Sequence, residues 1–378
     1  MLYRKLGTTG EEISILGFGC MRLPVINGNY EHVDEEKAKN MLYYAIENGV
    51  NYLDTAYPYH NGASETFLGK ALTDEYRGKV HLATKIPSWL IDKKEDLDYY
   101  LNIQLERLQT ETIDFYLVHS LNKNYWPILE KAGVFEFLDD LKSDGTIKYN
   151  GFSFHDDLEF FFEIIDSYDW DICQIQYNFM DENYQAGREG LRYAASQGIG
   201  TVIMEPLRGG FLANNIPNEV QSVWDMAEVS RKPAEWALKY LWNNTEVDTV
   251  LSGMSTLDQM KENIAFAKDG YPNSLTEDEE YLIKEVRMVY REKISLDCTA
   301  CGYCMPCPSG VNIPDCFMQL NYAEMFNDPE SAKMHYMTLL KDEEKASSCT
   351  ECGECQTTCP QMIDIKEKLK EVVKTFEG

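Results

Sequence analysis

The chain has 378 residues, room for one large domain and a smaller one. Its formal charge of −28, from 35 basic and 63 acidic residues, argues against nucleic acid or an anionic membrane surface as partner. No apolar run approaches the roughly 18 residues that span a bilayer, and the first residues show neither an apolar h-region nor a small-residue cleavage site, so a cytoplasmic protein is expected.

Between about residues 15 and 270, short apolar runs alternate with longer amphipathic ones. Strands are expected over 15–20, 52–54, 80–84, 115–119, 149–153, 172–176, 200–204 and 247–251. Helices are expected over 34–48, 94–108, 135–143, 156–167, 185–197, 219–243 and 257–267. Gly49, Gly145 and Gly198 each follow a helical run, where a helix-ending glycine belongs. Eight strands with crossover helices over roughly 250 residues make the pattern of a (β/α)8 TIM barrel, with a doubly wound open sheet as its α/β competitor. The expected division is a barrel over 1–272, a linking helix over 273–297 and a small, mainly α-helical module over 298–378.

Nine of the 11 cysteines fall between Cys298 and Cys359, and only Cys20 and Cys173 precede them. Without an export signal, clustered thiols point to metal rather than disulfides. The first group is Cys298, Cys301, Cys304 and Cys307-Pro308; the second is Cys349, Cys352, Cys355 and Cys359-Pro360. Three thiolates at C-x2-C-x2-C spacing wrap one iron–sulfur cube, and the fourth Cys, before Pro, ligates the other cube. On that logic Cys298, Cys301, Cys304 and Cys359 hold one [4Fe–4S] cluster, and Cys349, Cys352, Cys355 and Cys307 hold the second. Zinc also accepts C-x2-C pairs, but the repeated triple followed by Cys-Pro is characteristic of two clusters. The first group has two residues rather than three before its fourth Cys, which leaves Cys316 as an alternative to Cys307. Clusters of this kind degrade in oxygen, so an anaerobic host is expected.

Four short motifs stand at successive expected strand ends: Asp54-Thr-Ala-Tyr57-Pro-Tyr59, Ala83-Thr84-Lys85, Phe115-Tyr-Leu-Val-His119 and Gly151-Phe-Ser153. In a TIM barrel the C-terminal strand ends converge on the active site. A carbonyl that accepts a hydride also needs a proton. Tyr59 can supply it, with Lys85 stabilising the phenolate, Asp54 orienting the lysine and His119 polarising the carbonyl. Taken singly, these residues also read as a cap, a surface aromatic, a solvated charge and a core imidazole; together at matching strand ends they read as a catalytic tetrad.

On Asp54-x-Ala-x-x-Tyr59, Lys85, His119, Leu16-Gly-Phe-Gly19 and Gln174-Ile-Gln-Tyr177-Asn178, the chain resembles the aldo-keto reductase family over about residues 1–270. The cysteine module marks the branch with a C-terminal [4Fe–4S] dicluster ferredoxin-like domain. The resemblance implies NADPH or NADH bound at the barrel mouth, Tyr59 as general acid/base, and Ser153 and Gln174 on the nicotinamide carboxamide. It implies further cofactor contacts from Met21, from Met204, Pro206, Leu207, Gly209 and Gly210, and from Gly253, Ser255, Gln259, Glu262 and Asn263. The Asn that usually follows Ser153 is here Phe154, and the aromatic that usually stacks on nicotinamide is Met204. Where many members place Lys and Arg for the 2′-phosphate of NADP, this chain has Gly253 and Gln259, which leaves NAD against NADP open.

The function expected is an NAD(P)-dependent oxidoreductase that interconverts a small-molecule carbonyl and alcohol by hydride transfer. The clusters would then exchange electrons with a redox protein partner, or brace the fold. Coupling a two-electron hydride to one-electron clusters needs a converter such as a flavin. FMN can sit at a barrel mouth, although no flavin motif is present. The non-enzymatic alternative is a redox-sensing or regulatory subunit built on the same fold.

Overall fold

The computed structural model describes the chain apart from Ser295, Asp297, Thr299, Ala300, Cys301, Tyr303, Thr357 and Pro360, and the side chain of Asp74. It divides into two compact units. The first comprises Met1–Gly210 and Ala234–Thr276, the second Phe211–Pro233 and Glu277–Gly378.

The first unit opens with an antiparallel hairpin, β1 (Tyr3–Lys5) and β2 (Glu12–Ser14). Eight parallel strands follow: β3 (Leu16–Gly19), β4 (Tyr52–Asp54), β5 (His81–Ile86), β6 (Ile113–Leu121), β7 (Ile147–Phe154), β8 (Ile172–Gln176), β9 (Gly200–Met204) and β10 (Thr249–Ser252). They close in chain order, with β10 pairing back onto β3. A (β/α)8 barrel is therefore what forms, and the open sheet is ruled out. Every strand is covered on both faces, which is why most read in the sequence as unbroken apolar runs rather than as alternating ones.

The hairpin closes the N-terminal end of the barrel. Leu6 and Ile13 are fully buried in one cluster with Tyr52, Ala83, Phe115, Leu117, Ile172, Val202 and Leu251. The plug needs Gly200 at the start of β9, because a Cβ there would stand 2.7 Å from Cγ of Leu6. Sealing that end leaves only the C-terminal strand ends open for chemistry.

One expected element is corrected. The helix read over 219–243 is two, Asn218–Trp224 and Pro233–Trp242. Proline disfavours helical geometry in the residue before it and is at home in the first turn of a new helix. Pro233 therefore starts a helix and cannot continue one. Ser274 and Glu277 stand at the spacing of a capping box for the linking helix, but the structure does not form one. The helix runs Glu277–Glu292, and the Ser274 hydroxyl instead donates to the Tyr271 carbonyl at 2.7 Å.

The second unit is helical. Glu277–Glu292, Ile313–Met325, Pro329–Leu339 and Ile365–Phe376 contribute its larger apolar faces. Val286, Tyr290, Phe317, Leu320, Phe326, Tyr336, Leu369, Val372 and Phe376 are buried in it. The inserted segment Phe211–Pro233 belongs to this core: Phe211 stacks on Phe326 at 4.8 Å, and Lys293 bonds Glu219 at 3.1 Å. Among the described residues, no helix is long and apolar enough to cross a membrane.

Candidate active site and cysteine module

Asp54 is the last residue of β4, Lys85 lies near the end of β5 and His119 near the end of β6. Tyr59 opens the short turn Tyr59–Gly62 after β4. Parallel pairing of β4 with β5 and of β5 with β6 brings these ends side by side. The Lys85 ammonium is wholly buried and donates to the Asp54 carboxylate at 2.7 Å and to the Thr55 carbonyl at 2.8 Å. The same nitrogen lies 5.2 Å from the centre of the Tyr59 ring. That ring meets His119 edge-on, with centroids 6.1 Å apart and planes at 82°. Trp89 forms a further wall, 5.2 Å from the His119 ring.

Burial pushes the Asp54 carboxyl above its ordinary range, and the Lys85 charge opposes this. Burial likewise holds the Tyr59 phenol well above its usual value, reinforced first by Asp54. His119 is pushed well below its usual value by burial, by Lys85 and by His155. The resting site therefore contains a protonated phenol and a neutral imidazole. Burial is the largest of the causes at Tyr59, and it favours the proton-donating form.

Neighbouring residues fix this geometry. His60, next to Tyr59, donates through Nδ1 to the Tyr30 carbonyl at 2.6 Å and accepts the Leu23 N–H at Nε2 at 3.2 Å. His60 and Asn61 both hold positive φ, at 52° and 54°; such strain persists only where the surroundings enforce it. Behind the strands, Glu65 is fully buried and accepts from Thr84 Oγ1 and Gln104 Nε2, both at 2.7 Å, and from Arg107 at 3.1 Å. Gln104 also donates to the Lys85 carbonyl at 3.0 Å, while Arg107 donates to the Tyr57 carbonyl at 3.3 Å and lies over the Tyr57 ring. One buried carboxylate thus ties the Lys85 strand to the turn that carries Tyr59. Nothing in the sequence marked Glu65, Gln104 or Arg107, which stand singly on amphipathic helices.

The expected cofactor residues also lie at strand ends. Ser153 and Gln174 are register partners on β7 and β8, both buried. Ser153 Oγ accepts the Ser120 N–H at 2.8 Å, and Gln174 Nε2 faces the Met204 sulfur at 3.7 Å. Gln174 Oε1 is buried with no partner among the described residues. An acceptor left unsatisfied in this way fits a ligand amide that donates to it. Phe154, in the place of the usual Asn, is fully buried against Phe161 with centroids 5.0 Å apart, in the core.

Met21 is exposed on the turn after β3. Met204, Pro206 and Leu207 lead into a tight turn in which Gly209 and Gly210 hold φ of 67° and 104°. After β10, Gly253 and Ser255 are exposed, and Asn263 is buried with its Nδ2 on Ser252 Oγ at 3.0 Å. Glu262 is half-buried on the same helix. Gln259 works as a capping residue, its Oε1 accepting the N–H groups of Ser255 and Thr256 at 2.9 and 3.2 Å.

In the second unit, the Cys355 thiol is pushed up by burial and then by the neighbouring thiols of Cys349, Cys307 and Cys352. Cys349, Cys307 and Cys352 thus each lie within electrostatic reach of Cys355. Ser309 Oγ and Thr350 Oγ1 meet at 2.8 Å and fasten the tail of the first group to the second. The Glu351 N–H donates to the Cys349 sulfur at 3.4 Å. Cys316 is fully buried, donates to the Glu344 carbonyl at 3.6 Å and is pushed up to about 12 by burial. It is a core thiol.

Cys298, Cys304 and Cys359 are half-buried, while Cys301 lies outside the described residues. Gly302 and Gly353 occupy equivalent places, each after the second Cys of its group, with φ of 73° and 82°. The shared left-handed turn favours glycine and bends each loop around its thiols. Among the described residues, no three His, Cys, Asp or Glu side chains converge on a point that suits one metal ion. A single zinc needs its ligands almost in contact, whereas a four-iron cube takes each thiolate on a different iron.

The chain belongs to the Aldo/keto reductase family, whose profile matches residues 15–274, and a 4Fe-4S dicluster domain matches residues 297–365. It is an oxidoreductase-family barrel joined to an iron–sulfur domain. It is 27% identical over 307 residues to the NADH-specific methylglyoxal reductase of Escherichia coli, a match covering 69% of this chain and 91% of that protein. A probable aldo-keto reductase 1 of Glycine max is 36% identical over 158 residues, covering 39% of this chain and 44% of that one. Among solved structures, the holo form of the aldo-keto reductase AKR11C1 from Bacillus halodurans superposes with a TM-score of 0.64 at 29% identity. That match covers 76% of this chain and 96% of the other.

Proposed function

We propose that this protein is an NAD(P)H-linked carbonyl reductase carrying two [4Fe–4S] clusters, with Tyr59 as its general acid. The observation that carries the reading is the placement of the Tyr59 ring between the buried Lys85–Asp54 pair and His119. A nicotinamide cofactor supplies the hydride when bound. Ser153 and the unsatisfied Gln174 Oε1 orient its carboxamide. Neutral His119 donates a hydrogen bond to the substrate carbonyl, and Tyr59 gives its proton to the oxygen as negative charge develops there. Lys85 then stabilises the phenolate left behind, its own charge balanced by Asp54.

Cys307 with Cys349, Cys352 and Cys355 holds one cluster on this reading, and Cys298, Cys301, Cys304 and Cys359 hold the other. Cys352 is exposed, which brings the cluster it would hold within reach of a redox protein. Thiolate clusters survive in a reducing compartment, and on this reading the protein works in the cytoplasm.

The test is steady-state reduction of a panel of aldehydes and quinones with NADH and NADPH, by the wild type and by Tyr59→Phe. Turnover by the wild type, lost in Tyr59→Phe with nucleotide binding retained, supports the reading. Equal rates for the two proteins on a turned-over substrate overturn the role of Tyr59. Inactivity of both across the panel favours a regulatory subunit.

A further inference from the structure

On the nucleotide reading above, the segment 253–263 after β10 receives the adenosine end of the cofactor. Gly253 brings no cation there, and Gln259 has committed its amide oxygen to the backbone of Ser255 and Thr256. A cation arrives from a different loop. A Cβ built on Gly253 would stand 3.3 Å from both Cγ and Cδ of Arg22 and 3.4 Å from its Cβ. The arginine stem, carried on the turn after β3, therefore runs along the path that a side chain at position 253 would take. The backbone is tied to the same loop, since Ser255 Oγ donates to the Arg22 carbonyl at 2.9 Å. Among the described residues the Arg22 guanidinium has no hydrogen bond or ion pair.

We propose that Arg22 recognises the adenosine 2′-phosphate, so that this protein prefers NADPH to NADH. A guanidinium matches a phosphate with two parallel hydrogen bonds, and an unpaired one anchored beside the adenosine segment is placed to make them. The absence of a side chain at 253 leaves the arginine stem its room, since a Cβ there would press on it at 3.3 Å. The proposal depends on the nucleotide reading and adds to it a choice of cofactor and the residue that makes it.

Binding tests this without catalysis. NADPH, NADH, adenosine 2′,5′-bisphosphate and 5′-AMP are titrated calorimetrically into the intact, cluster-loaded wild type, Arg22→Met and Arg22→Lys. Methionine keeps most of the stem and removes the charge. Arg22→Met is expected to weaken NADPH and the bisphosphate by about tenfold or more, the scale of one charge-assisted contact, while NADH and 5′-AMP bind as before. Arg22→Lys is expected to recover part of the loss. Unchanged NADH binding also serves as the folding control; if Arg22→Met fails to fold, the NADPH-to-NADH ratio of Arg22→Lys decides.

Equal weakening of NADPH and NADH places the guanidinium on the pyrophosphate that both share and overturns the proposal. No weakening of either overturns it as well. If the wild type itself binds neither dinucleotide, the nucleotide reading fails first and takes the proposal with it.

Discussion

Lys85 and Asp54 are each almost wholly buried, and they meet at 2.7 Å beneath the ring of Tyr59. Replacing Asp54 with Asn keeps the shape but strands an ammonium in the core. Removing one partner of a buried pair costs about 3–5 kcal/mol. Urea unfolding of Asp54→Asn is expected to shift its midpoint down with little change in slope. An unchanged midpoint would mean that Lys85 gives up its proton in the variant.

The protonation of the pair above it sets the pH response. Tyr59 is held well above the usual phenol value near ~10, and His119 well below the usual imidazole value near ~6.5. Both are neutral across the intervening range. Carbonyl reduction, which needs the phenol protonated, is expected to be flat from about pH 6.5 to about pH 9 and to fall only beyond it. Alcohol oxidation, which needs the phenolate, should climb as pH rises through the same range. An acid limb centred near ~6.5 in the reduction profile would show that His119 titrates after all.

Arg107 and Glu65 join the two halves of the tetrad from behind. Arg107→Ala leaves a buried carboxylate without its cation and releases the Tyr57 carbonyl. A stability loss of about 3 kcal/mol or more is expected, with kcat falling further than nucleotide affinity, because the turn holding Tyr59 loosens. A variant that loses stability yet keeps full kcat would reduce Arg107 to a fold residue.

Iron content separates the cysteines. Two cubane clusters require about eight irons per chain. Anaerobically purified Cys307→Ser is expected to lose about half of that complement or to bind its second cluster weakly. Cys316→Ser should keep its iron and be less stable, because a hydroxyl replaces a thiol in the apolar core. Iron loss in Cys316→Ser alone would reverse the assignment.

Much of the barrel could be read from the chain because its strands are covered on both faces. Strands 52–54, 172–176 and 200–204 form where the apolar runs stand. The hairpin Tyr3–Lys5 and Glu12–Ser14 went unread, since three-residue strands have too few positions to show a period, and their role appears only through Leu6 and Ile13 in the floor. The helix break was legible in principle, with Pro233 as its signal. The tetrad positions could be read because Asp54 and Tyr59 follow β4 while Lys85 and His119 stand near the ends of β5 and β6. Glu65 and Arg107 could not, because an isolated charge on an amphipathic helix looks solvent-facing until two helices bury it. Spacing alone left Cys307 and Cys316 open. The Ser309–Thr350 contact, made across 41 residues of chain, is invisible to spacing.

The second unit is assembled from two separated stretches of chain, one of them interrupting the path from β9 to β10. No single cut can therefore divide the polypeptide into these two compact units. A gene ending at codon 276 would still encode Phe211, Val220 and Trp224, stripped of the helices that bury Phe211 and its neighbours. Residues 211–233 lie within the stretch matched by the Aldo/keto reductase family yet fold into the compact unit that carries the cysteines, so the barrel's own sequence supplies part of that unit's core.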